Sequence, residues 1–197
     1  MAAPLSAAVL ETALADARIS SPTAHIDSEF PLDSVLASLA EGFPPGKPLA
    51  VLLSTGAMNP IHYGHVAVLD AARAAVEARG YHVLGGFLSP THDAYVGPKC
   101  AHANVRHFPG AARVSLVDGM LRGSTWLRTA RWEVAQAGFE DFPQVTRACA
   151  RALKACAPLA EAGGATVRVR LRPPGSSNAA RAGTPLPPPF HCPANPR

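Results

Sequence analysis

Leu49-Ala-Val-Leu-Leu-Ser-Thr-Gly-Ala-Met-Asn-Pro-Ile-His-Tyr-Gly-His65 decides the fold. Leu49–Leu53 is apolar without alternation, as in a strand of a parallel sheet covered on both faces. Gly56 lacks a Cβ, so the backbone there can approach a ligand closely. Asn59-Pro60 is a turn dipeptide that redirects the chain. Val66–Arg79 then carries two adjoining apolar rows, Leu69/Ala72/Val76 and Val68/Ala71/Ala75, the mark of an amphipathic helix. The stretch therefore reads strand, tight loop, helix. His62 and His65, three residues apart, project to one side of the first helical turn. The unpartnered N–H groups and positive dipole end of that turn favour an anion. Two imidazoles beside an anion pocket point to phosphate chemistry.

Working outward, Gly80 caps the helix and Tyr81–Leu88 is a second apolar run ending at Ser89-Pro90. Strand, helix and strand within this span make a βαβ unit. In open sheets of this kind ligands bind beyond the carboxyl ends of the strands, where both Ser54–His65 and Ser89–Lys99 fall. Ser89–Pro109, rich in His and Pro, reads as a loop over the site. Ala111–Leu121 is amphipathic, Trp126–Thr129 reads as a short strand, Trp132–Gln136 is ambiguous, and Phe142–Cys156 is a helix with Val145, Cys149, Ala152 and Cys156 on one face.

Upstream, Ala2–Ala17 and Leu32–Glu41 read as helices. The breaker Gly42-Phe-Pro-Pro-Gly-Lys-Pro48 divides an N-terminal helical extension, residues 1–48, from the main domain, residues 49–171. Thr166–Leu171 alternates like a half-exposed strand. Residues 172–197 hold eight prolines and are expected to form a disordered tail.

Composition narrows the function classes. The net charge of +4 is uneven: eight basic residues against Glu161 alone follow from Arg147, while residues 1–146 carry ten basic and thirteen acidic side chains. The basic excess lies away from the motif and lacks interleaved aromatics, so no nucleic-acid partner is expected. Cys100, Cys149, Cys156 and Cys192 show no CxxC spacing. They read as free thiols of a reducing compartment, cytoplasmic or nuclear. No apolar run is long enough for a membrane span, and Met1–Val9 lacks the features of a signal peptide. A homo-oligomer is left open. His62-x-x-His65 has the spacing of a metal pair but no obvious third ligand, so no protein-held metal is expected; two ordinary surface histidines are the plain reading.

Gly56-Ala-Met-Asn-Pro-Ile-His-Tyr-Gly-His65 resembles the signature loop of the HIGH-type nucleotidyltransferase superfamily. Ser89-Pro-Thr-His-Asp-Ala-Tyr95 is similar to the Ser-Pro-x-x-Asp-Ala-Tyr loop of eukaryotic nicotinamide mononucleotide adenylyltransferases. Arg113–Leu121 and Trp126–Glu133 fit that family's next helix and Trp-Glu site. The resemblance spans about Leu49 to Leu153. It implies an α/β, Rossmann-like nucleotidyltransferase fold with a parallel sheet. It also implies adenylyl transfer from ATP, with Mg²⁺, to nicotinamide or nicotinate mononucleotide, giving NAD or deamido-NAD and pyrophosphate. By the same resemblance Gly56 and Ala57 contact the nucleotide through backbone and His65 holds ATP phosphates, assisted by His62. Lys99 is the phosphate-binding lysine, and Trp132 and Glu133 meet the pyridine. The family's later Gly-x-Asp-Leu and Ile-Ser-Ser-Thr-x-x-Arg motifs are not found in this chain, so the C-terminal half of the fold is expected to be incomplete. Three alternatives follow: an inactive nucleotide-binding fragment, another HIGH-type enzyme such as a pantetheine-phosphate adenylyltransferase, and a plain α/β domain whose histidines do nothing. Ser89–Tyr95 argues against the second.

Overall fold

The computed structural model describes residues 29–162. The expected helix at 2–17, the strand at 166–171 and the proline-rich tail lie outside them. Helix α1 (Asp33–Glu41) precedes β1 (Leu49–Gly56), α2 (Tyr63–Glu77) and β2 (His82–Pro90). Next come α3 (Asp93–His102), α4 (Gly110–Met120), β3 (Leu127–Thr129) and α5 (Trp132–Ala135). Helix α6 (Phe142–Leu153), a 3₁₀ turn (Lys154–Cys156) and α7 (Ala157–Ala162) complete the described chain.

The strands form one sheet in the order β1-β2-β3, parallel throughout. The pleat sends successive side chains to opposite faces, and two apolar clusters result. On one face Leu49, Val51 and Leu53 of β1 and Leu84 and Phe87 of β2 meet Val35 and Leu39 of α1 and Ala148, Cys149 and Ala152 of α6. On the other, Leu52 and Leu88 meet Leu69 of α2, Val117 of α4, and Leu121. Each fully buried Leu or Phe contributes roughly 1.5–3 kcal/mol. Phe87, wholly buried, sets its ring edge-on to Phe30 at 5.6 Å. Helix α6 starts where Asp141 and Gln144 satisfy each other's backbone N–H groups, a capping box followed by the expected apolar stripe.

Three readings are altered. First, Phe30, Leu32, Val35, Leu39 and Phe43 share a core with β2 and α6, so the breaker at residues 42–48 does not separate two cores. Second, Ser89–Pro109 is not all loop. Asp93–His102 is a helix despite Pro98, because His92 caps it and Val96 and Cys100 are buried beneath it. A proline removes one helical hydrogen bond but does not abolish a helix anchored at its ends. Third, β1 is half-buried at all eight positions, whereas β2 is buried at eight of its nine. Among the described residues β1 pairs with β2 alone, so one of its edges is open. The Val68/Ala71/Ala75 row of α2 is exposed, with Leu69 the buried residue of that helix.

β2 tolerates burial on both faces because Gly86 leaves room for a neighbour. A Cβ there would lie 2.8 Å from the Trp126 ring and 2.9 Å from Leu127 Cδ2. Gly86→Ala is expected to lower stability by roughly 1–3 kcal/mol through overpacking, read as a lower urea midpoint at unchanged m-value.

Candidate active site

The carboxyl ends of β1 and β2 meet where the Thr91 N–H donates to the Gly56 carbonyl at 2.9 Å. Beyond them the chain makes a sharp passage. Met58 sits at φ +46° with its side chain buried, and the Asn59–Pro60 bond is cis. Asn59 then acts as a clamp. Its Oδ1 accepts from the Phe108 N–H (2.7 Å) and its Nδ2 donates to the Arg106 carbonyl (2.7 Å). The loop before α4 is thereby tied to the loop after β1.

His62 and His65 open α2. The His62 Nδ1 accepts from the Gly64 N–H at 3.2 Å, and the His65 Nδ1 accepts from the His62 N–H at 3.2 Å. Two N–H groups that the helix start leaves unpartnered are satisfied by imidazoles, where Ser or Asp is the commoner choice. The His62 carbonyl lies 3.3 Å from the His65 Nδ1 but already accepts the His65 N–H at 3.0 Å. The acceptor role at Nδ1 puts the proton of the neutral His62 ring on Nε2, and the shorter contact from the His62 N–H favours the same tautomer for His65. The rings, 4.0 Å apart between centroids, therefore carry their remaining N–H groups at the outer nitrogens. Burial and the neighbouring His62 both press the His65 pKa below its ordinary 6.5. A Cβ on Gly64 would come within 3.0 Å of the His62 ring, so a glycine keeps that arrangement open.

Between these loops lies Arg113 of α4, wholly buried. Its Nε donates to the Phe108 carbonyl (2.9 Å), its Nη1 to the Ala57 carbonyl (2.8 Å), and its Nη2 to Asp93 Oδ1 (2.6 Å). Asp93 in turn accepts from the Gly110 N–H (2.8 Å), which places a carboxylate at the start of α4, and approaches His107 Nε2 at 2.9 Å. Burial alone would raise the Asp93 pKa. The Gly110, Arg113 and His107 hydrogen bonds and the Arg113 charge outweigh it and bring the carboxyl down to about 2.

Glu133 opens α5 and is 2% exposed. The Ser89 hydroxyl, at the end of β2, donates to its Oε2 at 3.0 Å. Burial raises the Glu133 pKa to about 7, against hydrogen bonds from Ser89 and Thr91 and the charge of Arg113. Trp132 is half-buried and packs on the α1–α6 cluster. Lys99 lies exposed on α3 with its ammonium 5.8 Å from the centre of the Tyr95 ring. The Tyr95 ring also stacks on Phe139, with centroids 4.9 Å apart.

Gly56, Ala57, His62 and His65 thus lie on one loop–helix junction. Glu133 is linked to the second loop through Ser89. Lys99 and Trp132 make their described contacts with Tyr95 and with the core instead. Sequence reading missed Arg113 and Asn59 as organisers. The available signal was slight: Arg113 stands on the amphipathic stretch Ala111–Leu121 four residues before Val117, on the face that the helix buries. Among the described residues no group of three or more His, Cys, Asp or Glu is arranged to hold a metal ion, and no helix is long and apolar enough to cross a membrane.

A three-stranded parallel sheet with its polar loops gathered at the carboxyl ends is consistent with a Rossmann-like nucleotidyltransferase fold. The chain is similar to proteins of that class. It is 34% identical over 113 residues to a nicotinamide/nicotinic acid mononucleotide adenylyltransferase of Oryza sativa subsp. japonica, covering 57% of this chain and 43% of that one. With the namesake of Arabidopsis thaliana the identity is 30% over 94 residues, 48% of this chain and 37% of the relative. With nicotinamide/nicotinic acid mononucleotide adenylyltransferase 2 of Danio rerio it is 33% over 87 residues, 44% and 26%. The matched region spans less than half the length of these curated relatives. No family model matches the chain.

Two measurements probe this site. Long-range ¹H–¹⁵N spectra should find both His62 and His65 as Nε2–H tautomers, with His65 titrating below 6.5. For Glu133 the folded pKa lies above the unfolded value of 4.5. The folded state then holds the extra proton between those values, so this contribution is complete below pH 4.5 and lost as pH rises through 7. Glu133→Gln should flatten that loss, worth up to roughly 3 kcal/mol between pH 5 and 8, as read from urea midpoints at the two pH values.

Proposed function

We propose that the chain serves adenylyl transfer from ATP to the 5′-phosphate of nicotinamide or nicotinate mononucleotide. A phosphate oxygen of the mononucleotide attacks the α-phosphorus of ATP. The new P–O bond forms as the bond to the bridging oxygen breaks, and pyrophosphate leaves. NAD or deamido-NAD is the other product. No covalent enzyme intermediate is required, so the work is positioning and charge stabilisation.

The observation that carries this reading is the pair of imidazoles opening α2, each with Nδ1 engaged by backbone and Nε2–H left to donate. Two fixed donors at a helix start suit the oxygens of a polyphosphate, and charge builds on those oxygens as pyrophosphate departs. His65 is the principal donor and His62 its assistant. Gly56 and Ala57 offer backbone to the nucleotide, and exposed Lys99 offers a mobile charge to a phosphate. Trp132 offers a ring to the pyridine, with Glu133 holding the start of its helix to Ser89. The curated relatives, named for the same reaction, support the substrate class.

Mg²⁺ bound to ATP would add charge neutralisation. The described residues do not fit a protein-held ion: Asp93 is taken up by Arg113, His107 and Gly110, and Glu133 is buried against Ser89. The metal would be carried by phosphate oxygens and water, its usual habit with nucleotides.

The test is pyrophosphate release by the full chain with ATP, Mg²⁺ and either mononucleotide. Release is expected, and His65→Ala should lower it at least a hundredfold while costing the fold only the roughly 0.5–2 kcal/mol of a lost helix-start cap, read from the urea midpoint. ATP binding without release would sink the catalytic reading in favour of a nucleotide-binding one. Failure to bind ATP would leave only an α/β domain.

A further inference from the structure

We propose that Arg113 is the positioning residue of the nucleotide site, setting the separation of the two loops between which the nucleotide lies. The inference rests on the proposed function above. Its basis is where the guanidinium reaches. One planar fork takes a carbonyl from the loop after β1 (Ala57), a carboxylate from the start of α3 just beyond β2 (Asp93), and a carbonyl from the segment entering α4 (Phe108). These three segments come from separate parts of the chain, and the fork's rigid geometry fixes their mutual distances.

Two further contacts lock the same frame. Asn59 joins the Ala57 loop to the Phe108 segment from the other direction, and Asp93 holds the start of α4 through Gly110. Ala57 lies five residues before His62, in the passage through Met58 at positive φ and the turn at Pro60. Turning the Ala57 carbonyl inward sets the plane of that peptide, and with it the course of the backbone towards the two imidazoles. Arg113 itself is wholly buried. It acts on nucleotide only through the loops it holds.

A lysine would keep the positive charge opposite Asp93 but could not span all three acceptors, because an ammonium is a point charge rather than a fork. Arg113→Lys therefore separates positioning from charge neutralisation. The double variant Arg113→Met/Asp93→Asn removes the guanidinium without leaving Asp93 charged and unpaired. Peptide-resolved hydrogen exchange and calorimetric titration with Mg·ATP should be measured on the full chain for wild type and both variants.

Positioning predicts that exchange in residues 54–62 and 103–109 speeds up at least tenfold in both variants, while residues 82–88 and 142–153 keep their protection. ATP affinity should fall about tenfold or more in both. Wild-type affinity in Arg113→Lys would overturn the proposal and leave charge neutralisation as the role of Arg113. Exchange that rises equally throughout the domain would overturn it in favour of a general stabilising role. Wild-type chain that binds no ATP is a different failure: it overturns the proposed function and removes the positioning role with it.

Discussion

A guanidinium with no exposure to water is the constraint on which the site depends. Removing Arg113 from solvent is costly, and the cost is offset because each of its three nitrogens meets an acceptor: the Phe108 and Ala57 carbonyls and the Asp93 carboxylate. Each acceptor would in turn lose a partner without the arginine, and a buried polar group left unsatisfied costs roughly 1–3 kcal/mol. The arrangement is thus mutual. Three separate segments, two loops and the start of α3, are bound to one side chain, and that side chain is tolerable inside the protein only while they stay there. Asp93 reflects the same balance, held at about pKa 2 by its donors against the effect of burial.

Glu133 sits under the opposite pressure. It has hydroxyl partners rather than a guanidinium in direct contact, and burial pushes it up to about 7. Two carboxyl groups within one loop cluster are therefore driven apart. Asp93 is charged at neutral pH and acts as a fixed anchor, whereas Glu133 is poised to hold or lose a proton. Cys149, with no compensating partner in its apolar cluster, is raised to about 12 and behaves as a small hydrophobe.

The sheet carries the loops but not with equal support. β2, flanked by β1 and β3, is buried; β1, which delivers the motif, is half-exposed along its length. The anchors of the motif lie beyond the strand: Met58 and Ile61 in the apolar cluster, Asn59 across to Arg106 and Phe108, and Ala57 on Arg113. The site is consequently held from the α4 side.

Sequence by itself determined the local elements. Leu49–Leu53, Val66–Arg79, Tyr81–Leu88 and Phe142–Cys156 were legible because burial on a regular element imposes a period, and glycine or proline marks its ends. It also put His62 and His65 at one helix start, a matter of spacing alone, but His62 proves to be the extended capping residue ahead of the first turn and only His65 lies within it. What only tertiary structure decided were relations between distant segments. Residues 30–43 joined the main core because α1 found β2 and α6, across a breaker that reads as a boundary. Asp93–His102 became helical despite Pro98 because Val96 and Cys100 had a surface to cover. β1 stayed half-open because the burial of a strand depends on its neighbours, which its own residues do not name. Arg113 looked like one charge on an amphipathic helix; its role arises from acceptors 5, 20 and 56 residues away in the chain. Periodicity is a property of neighbours in sequence, whereas charge compensation is a property of neighbours in space, and the site is built from the second.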